Sequence, residues 1–115
     1  MADDGCLFCG IVAGTVPSTT VLETDRVLAF RDIAPQAPTH VVVVPKEHYT
    51  DTDDIAHRNP AYLGEVMAAA VDVAKQEGLT GGYRILTNTG PDSGQTVFHV
   101  HVHVLGGRNL GALAG

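Results

Sequence analysis

The sequence predicts an α+β fold built on a mostly antiparallel five-stranded sheet with one long helix and a short N-terminal helix. Three observations lead there. Residues 99–104 read His-Val-His-Val-His-Val, and alternation with period two is the strand pattern. Residues 41–44 are an unbroken valine run, as expected of a strand covered on both faces. One long stretch, 60–77, carries apolar residues at helical spacing, and strands and helices do not alternate as βαβ units require. With 115 residues, 44% of them hydrophobic, the chain suits one domain over 1–115 with a real core.

In chain order, Leu7, Phe8, Ile11 and Val12 are spaced for one face of a short helix, and Gly14 ends it. Residues 19–23 and 27–31 read as two strands around a hairpin at Thr24-Asp25-Arg26. Asp32-Ile33-Ala34-Pro35-Gln36-Ala37-Pro38 breaks the pattern with two prolines, and Asp32 by position alone is a turn residue. The third strand covers 39–44, with His40 near its start and Pro45-Lys46-Glu47-His48 at its end. Residues 51–56 are acidic and hold one helical turn. Asn59-Pro60 is an N-cap followed by proline at the first helical position. Leu63, Val66, Met67, Ala70 and Ala74 then form the core stripe of the long helix, with Lys75 in its last turn and Gly78 beyond it. Residues 83–88 are the fourth strand. Thr89-Gly90-Pro91-Asp92-Ser93-Gly94-Gln95 is a Gly-rich turn leading directly into the histidine strand, and Gly90 and Gly94 let its backbone N–H groups approach a phosphate. Residues 110–115 are a small-residue tail free to fray.

The formal net charge of −6 excludes whole-molecule attraction to nucleic acid or an anionic membrane. A nucleotide remains possible, since a phosphate needs only local donors. No run of about 18 apolar residues occurs, so no transmembrane helix is expected. Met1-Ala2-Asp3-Asp4-Gly5 is acidic with no apolar run behind it, which argues against a secretory signal. The expected compartment is the cytoplasm, where Cys6 and Cys9 stay reduced.

Half of the six histidines form one row. His99, His101 and His103 share a strand face at intervals of about 7 Å, with Val100, Val102 and Val104 on the other face. Two chemistries fit: metal binding, or nucleophilic and acid–base catalysis in which one ring attacks while its neighbours handle protons. Cys6-Leu7-Phe8-Cys9 is half of a zinc site by spacing, and equally two buried thiols or a redox pair.

The segment His99-Val100-His101-Val102-His103-Val104-Leu105 resembles the triad motif of the histidine triad superfamily of nucleotide hydrolases and transferases. The likeness continues through Phe30-Arg31-Asp32-Ile33, Pro35-Gln36-Ala37-Pro38-Thr39-His40, Pro45-Lys46-Glu47-His48, Asn88 and Gly94-Gln95-Thr96-Val97-Phe98. Leu105-Gly106-Gly107-Arg108 looks like the Hint branch, typified by purine nucleoside phosphoramidases; the diadenosine polyphosphate hydrolase branch typically has a proline after the triad.

The resemblance implies a covalent mechanism. His101 is the nucleophile on the α-phosphorus of a purine nucleoside 5′-phosphoramidate or related ester, and water releases the monophosphate from a nucleotidyl-histidine, with no cofactor required. His103 contacts phosphate oxygen and handles protons; His40 supports the triad through hydrogen bonds; Asn88 and Thr96 meet the phosphate and leaving group, with Gly94 and Gln95 in the surrounding loop. Asp32 accepts the ribose hydroxyls, and Leu7, Phe8, Ile11, Phe30 and Ile33 line the base pocket. Cys6, Cys9, His48 and His99 resemble a structural zinc site, which makes His99 a support for catalysis. The resemblance further implies a homodimer joining two sheets, with the long helix and one strand at the interface.

Thr96 stands where the family often has serine, keeping the hydroxyl, and the C-terminus lacks the Trp-Pro-Pro ending of animal Hint proteins. The competing readings are a diadenosine polyphosphate hydrolase, a nucleotide-binding interaction module with incidental catalysis, and, as a mechanism, a three-histidine catalytic metal site on the strand.

Overall fold

The valine run sits at the middle of the sheet. In the computed structural model, which describes residues 5–114, the elements are α1 (Leu7–Ala13), β1 (Thr20–Glu23), β2 (Val27–Arg31), β3 (Thr39–Pro45), α2 (Thr52–Arg58), α3 (Pro60–Gln76), β4 (Tyr83–Leu86), a 3₁₀ turn (Pro91–Ser93) and β5 (Val102–Gly106). The strand order is β1-β2-β3-β5-β4, with every neighbouring pair antiparallel. The reading of residues 1–4 lies outside the described residues.

β3 is buried along almost its whole length because the two sides of the sheet are covered differently. Val41 and Val43 pack with Val66, Ala70 and Val73 of α3 and with Ile55 of α2. Val42 and Val44 face the other way, into a smaller cluster with Phe8, Leu28 and Phe30. α1 therefore covers the face opposite the long helix. Fully burying one such valine is worth roughly 1.5–3 kcal/mol, so both faces contribute to stability. α3 starts as expected: the Asn59 side chain accepts from the amide of Tyr62 at 3.2 Å. Among the described residues no helix is long and apolar enough to cross a membrane.

Three expectations change. The acidic segment after Thr50 is a two-turn helix, not one turn. Asp51 caps it by accepting from the Asp54 amide, Asp53 and Asp54 occupy the first turn, His57 and Arg58 the last, and Ile55 is buried; this charge order suits the helix dipole. The fourth and fifth strands pair, but not through a tight hairpin. Residues 87–101 lie between them, and Gly94, with φ of 97°, closes the 3₁₀ turn in a conformation that favours glycine. Finally, only His103 of the row lies within β5; His99 and His101 precede it. Their backbone bonds leave the ladder: the Val100 amide donates to the Tyr49 carbonyl at 2.7 Å, and the Thr87 hydroxyl donates to the His101 carbonyl at 2.7 Å.

The alternation nevertheless survives in side-chain direction. Val100, Val102 and Val104 join the core beneath α3, which leaves the three histidines to the face that α1 covers. Beyond β5 the chain turns back past the 32–38 loop. A Cβ at Gly107 would stand 2.9 Å from Cβ of Pro38, a close approach that requires glycine. At the start of the tail Arg84 donates to the Gly111 carbonyl, and the Gly111 amide donates to Oδ1 of Asn109.

Candidate active site and metal centre

The histidine row splits. His99 turns toward α1, where Cys6 caps the first turn, and there it meets both cysteines. Its Nδ1 lies 3.4 Å from Sγ of Cys6 and 3.4 Å from Sγ of Cys9, while Nδ1 of His48 lies 3.2 Å from Sγ of Cys9. The four ligand atoms all lie within 4.8 Å of one another. A carbonyl can only accept, so the 2.9 Å contact from Nε2 of His99 to the Pro45 carbonyl places the His99 proton on Nε2. The lone pair on Nδ1 then faces the thiols. This is how a metal-ligating histidine is held by its outer partner. Burial, the leading cause, pushes the His99 pKa down to about 4, so the ring stays neutral, as a ligand must. Two sulfurs and two imidazole nitrogens fit a closed tetrahedral zinc site.

His103 turns the other way. Its Nδ1 lies 2.8 Å from Nε2 of His40, whose Nε2 also lies 3.4 Å from Oδ2 of Asp32. These three residues also bring ligand-type atoms within 4.8 Å of one another, yet they do not fit a metal. The Gln36 amide donates to Nδ1 of His40 at 3.0 Å, so the proton of neutral His40 is on Nε2. A cation at Nε2 would force that proton onto Nδ1, against the Gln36 N–H. The set is instead a directed hydrogen-bond chain: Gln36 N–H to His40, then His40 Nε2–H to His103. The neutral His103 ring keeps its own proton on Nε2, pointed away from the chain and available to donate. Burial and then the neighbouring His101 and His40 press the His103 pKa down to about 4.

His101 stands between these sets, its ring centroid 5.1 Å from that of His103. Nδ1 of His101 lies 2.8 Å from the His99 carbonyl and must donate to it, so the lone pair is on Nε2. Burial lowers its pKa, and Asp32 opposes that in part, so a neutral nucleophilic nitrogen persists at neutral pH. Phe8 packs edge-on against the ring, with centroids 4.9 Å apart and planes at 88°. The three rings thus diverge to three partners. A shared three-histidine metal site does not form.

Among the other expected residues, Asp32 does two jobs. Oδ1 accepts from the Ala34 amide at 2.8 Å, the turn its position suggests, while Oδ2 faces His40. Phe8 and Phe30 are buried against each other at 5.4 Å between centroids, and Ile11 is half-buried beside them. Leu7 is 48% and Ile33 97% exposed, so these two stand at an open rim rather than in a closed pocket. Thr96 is exposed and Asn88 half-buried. Thr96 lines a cleft of about 400 Å³ together with Cys6, Leu7, His48, Val97 and Phe98. Gly94 ends the 3₁₀ turn beside it.

Gln95 is buried and its amide is consumed by the loop: Oε1 accepts from the Gly90 amide, and Nε2 donates to the carbonyls of Thr50 and Val97. Its side chain shapes the loop and is not offered to a ligand. A larger cavity of about 630 Å³, between residues 78–84 and 107–111, holds no histidine, cysteine or carboxylate.

Sequence reasoning missed the Gln36 amide, the Pro45 carbonyl and the Thr87 hydroxyl. The first two are backbone groups that every sequence carries, so no residue type marks them.

Comparison with known proteins agrees with this fold. The HIT domain family matches residues 13–110, a span that begins after Cys6 and Cys9. A relative named 14 kDa zinc-binding protein, from Zea mays, is 46% identical over 110 residues, covering 94% of this chain and 86% of that one. The purine nucleoside phosphoramidase of Escherichia coli K12 is 41% identical over 108 residues, covering 93% and 91%. A solved HIT family hydrolase from Clostridium thermocellum superposes with a TM-score of 0.90 at 44% identity, covering 95% and 96%. A family match over most of the chain, with relatives this similar along nearly their whole length, establishes that the chain belongs to the HIT family.

Proposed function

We propose that the protein hydrolyses purine nucleoside 5′-phosphoramidates, or related α-phosphate esters, through a nucleotidyl-histidine on Nε2 of His101. The observation that carries this reading is the bond from Nδ1 of His101 to the His99 carbonyl, which leaves Nε2 unprotonated in a buried, neutral ring. Nε2 attacks the α-phosphorus, the P–N or P–O bond to the leaving group breaks, and the leaving group takes a proton. The Nε2–H of His103, left free because its Nδ1 accepts from His40, is the donor we assign to the phosphoryl side. Water then cleaves the P–N bond to His101, and the nucleoside monophosphate leaves. Splitting the displacement in two avoids direct attack by water on a stable ester.

Asp32 receives the ribose hydroxyls, since its second oxygen is not taken by the turn. The base lies against Phe8, Ile11 and Phe30, with Leu7 and Ile33 at the rim. Asn88, Thr96 and the amides of the Gly94 loop take the phosphate side.

Cys6, Cys9, His48 and His99 would hold zinc. When bound it would supply structural cross-linking of α1 to the segment before β5, and in this reading catalysis itself requires no cofactor. The name of the maize relative and the ligand geometry support this assignment. The reading includes a homodimer: β4 is an open edge of the sheet, and Tyr83 on it and Met67 on α3 are 40% and 39% exposed.

Turnover of an adenosine 5′-phosphoramidate measured beside a diadenosine polyphosphate tests the reaction. Faster hydrolysis of the phosphoramidate is expected. Faster hydrolysis of the dinucleotide would move the protein to the sister activity, and no turnover of either would leave a binding module.

A further inference from the structure

The chain's two cysteines sit in one helical turn with Phe8 between them. Cys6 is half-buried and lines the 400 Å³ cleft that also holds Thr96. Cys9 lies beneath it, buried. Both sulfurs approach the same nitrogen, Nδ1 of His99, at 3.4 Å, and a Cys9 amide bond of 3.2 Å draws Sγ of Cys6 over the helix start. The same turn presses Phe8 onto His101, and the same His99 gives its carbonyl to Nδ1 of His101. The thiol pair therefore holds the ring of His99, the residue whose carbonyl orients the nucleophile, and flanks Phe8, which packs on it; Cys6 opens to the cleft.

We propose that Cys6 and Cys9 form a redox switch on His101, thrown by hydrogen peroxide; the proposal rests on the metal and nucleophile assignments above. The Cys6 thiolate attacks one peroxide oxygen. The O–O bond breaks, hydroxide leaves, and Cys6 becomes a sulfenic acid. The Cys9 thiolate then attacks Sγ of Cys6, an S–S bond forms, and a second hydroxide leaves. With two protons from solvent the products are one disulfide and two waters: two sulfurs are oxidised by one electron each and the peroxide is reduced.

A disulfide offers no thiolate, so only His48 and His99 remain as ligands, too few for a tetrahedral zinc site. His99 loses its hold on α1, and the first turn that carries Phe8 is no longer tied to His48 and His99 through the metal. His101 is then free to turn or to exchange its tautomer, and Nε2 is no longer the aimed lone pair. A thiol reductant reverses the change, because a disulfide lies on the reversible part of the cysteine oxidation ladder.

The test titrates hydrogen peroxide into the reduced, zinc-loaded chain and reads four quantities. The expected results are loss of two hydrogens from the intact mass with the bridge mapped to Cys6 and Cys9, release of the bound zinc, a change in the nitrogen-15 signals of His101 away from a pure Nδ1–H tautomer, and a fall in phosphoramidate turnover of roughly tenfold or more. Dithiothreitol with zinc restores all four.

Cys6→Ser keeps an oxygen able to cap the helix but removes a zinc ligand, so it should fold with little zinc and already lowered turnover, and peroxide should then change neither its metal content nor its turnover and should form no intramolecular disulfide; should it fail to fold, the wild-type readouts decide alone. Sulfinic acid in place of the disulfide, a disulfide with zinc retained, or a disulfide with the His101 signals unchanged overturns the switch, as does a Cys6→Ser chain that responds like wild type. Absence of turnover in the reduced chain would instead count against the phosphoramidate reading, while mass, metal and nitrogen-15 signals still judge the switch.

Discussion

Two clusters in this molecule have nearly the same ingredients and opposite chemistry. Cys6, Cys9, His48 and His99 gather ligand atoms within 4.8 Å, and so do Asp32, His40 and His103. What separates them is the partner of the far ring nitrogen. In the first, a carbonyl takes the proton of His99 and turns its lone pair toward the sulfurs. In the second, an amide N–H occupies the far nitrogen of His40 and turns its proton toward His103. A backbone acceptor leaves the other ring nitrogen of His99 as a lone pair facing the sulfurs, and a backbone donor leaves His40 a proton to give to His103. His101 lies on the border: its proton goes to the backbone of a residue in the first cluster, and its ring lies beside the second.

The strongest way to break the comparison is at that border. His101→Ala should keep its fold by circular dichroism, with a small loss of stability because the buried ring leaves space beside Phe8. It should lose phosphoramidate turnover by roughly 10³-fold or more, the scale seen when a covalent nucleophile is removed. Activity above a few per cent of wild type in the folded variant would end the nucleophile assignment.

The two clusters should next diverge in metal content. The purified chain should carry about one zinc, and Cys9→Ala should carry none. His40→Asn should leave the zinc content as it was, because that cluster does not fit a metal. Zinc at 100 to 1,000 times its dissociation constant adds about 2.7 to 4.1 kcal/mol to the native state. Stripping it with a strong chelator should lower the melting temperature by roughly 10 °C, judged from the shift per kcal/mol for domains of this size. Elemental analysis showing zinc lost from the His40 variant alone would invert the comparison.

Within the second cluster, Asp32 should distinguish ribose from deoxyribose. Loss of one hydrogen bond to a charged group is worth roughly 1.5–3 kcal/mol, about 10- to 150-fold. 2′-Deoxyadenosine monophosphate should therefore bind more weakly than adenosine monophosphate, and Asp32→Ala should shrink the gap. Adenosine and guanosine monophosphates should bind within about tenfold of each other, since the slot around Phe8 and Phe30 is apolar. Equal binding of ribose and deoxyribose by wild type would reduce Asp32 to its turn.

A further test concerns pH. Burial holds His103 neutral, with a pKa near 4 in the folded chain against an ordinary value of 6.5. Above pH 6.5 the ring is neutral in folded and unfolded chains alike. As pH falls from 6.5 toward 4 the unfolded chain takes up a proton that the folded chain refuses, so stability declines through that window and levels off below it. Melting temperatures across pH 4–7 should show this slope, and His103→Asn should reduce it without abolishing it, because burial holds His99 and His101 neutral as well. An identical slope in the variant would assign the titration elsewhere.

Much of this architecture was legible in residue pattern. The valine run foretold a strand covered on both sides, and the Asn59-Pro60 pair marked where α3 begins. The alternation of histidine and valine separated one face from the other even where the ladder had not yet started. The family motif, spread over separated blocks, pointed to His101, Asp32 and the Cys–His set. Side-chain identity and spacing carry that information because burial and ligand type depend on them directly. The acidic cap that lengthened α2 and the enclosure of Gln95 by its own loop were not legible, since both depend on which backbone groups come within reach.

The protonation pattern came from tertiary structure alone. The amide of Gln36 and the carbonyls of Pro45 and His99 decide which nitrogen of each imidazole carries the proton. Every residue but proline has that amide, and every residue has that carbonyl, so sequence cannot mark the three that matter. Only the packing of β3, its preceding loop, the segment before β5 and α1 brings them to the rings, and with them three different proton arrangements along one histidine row.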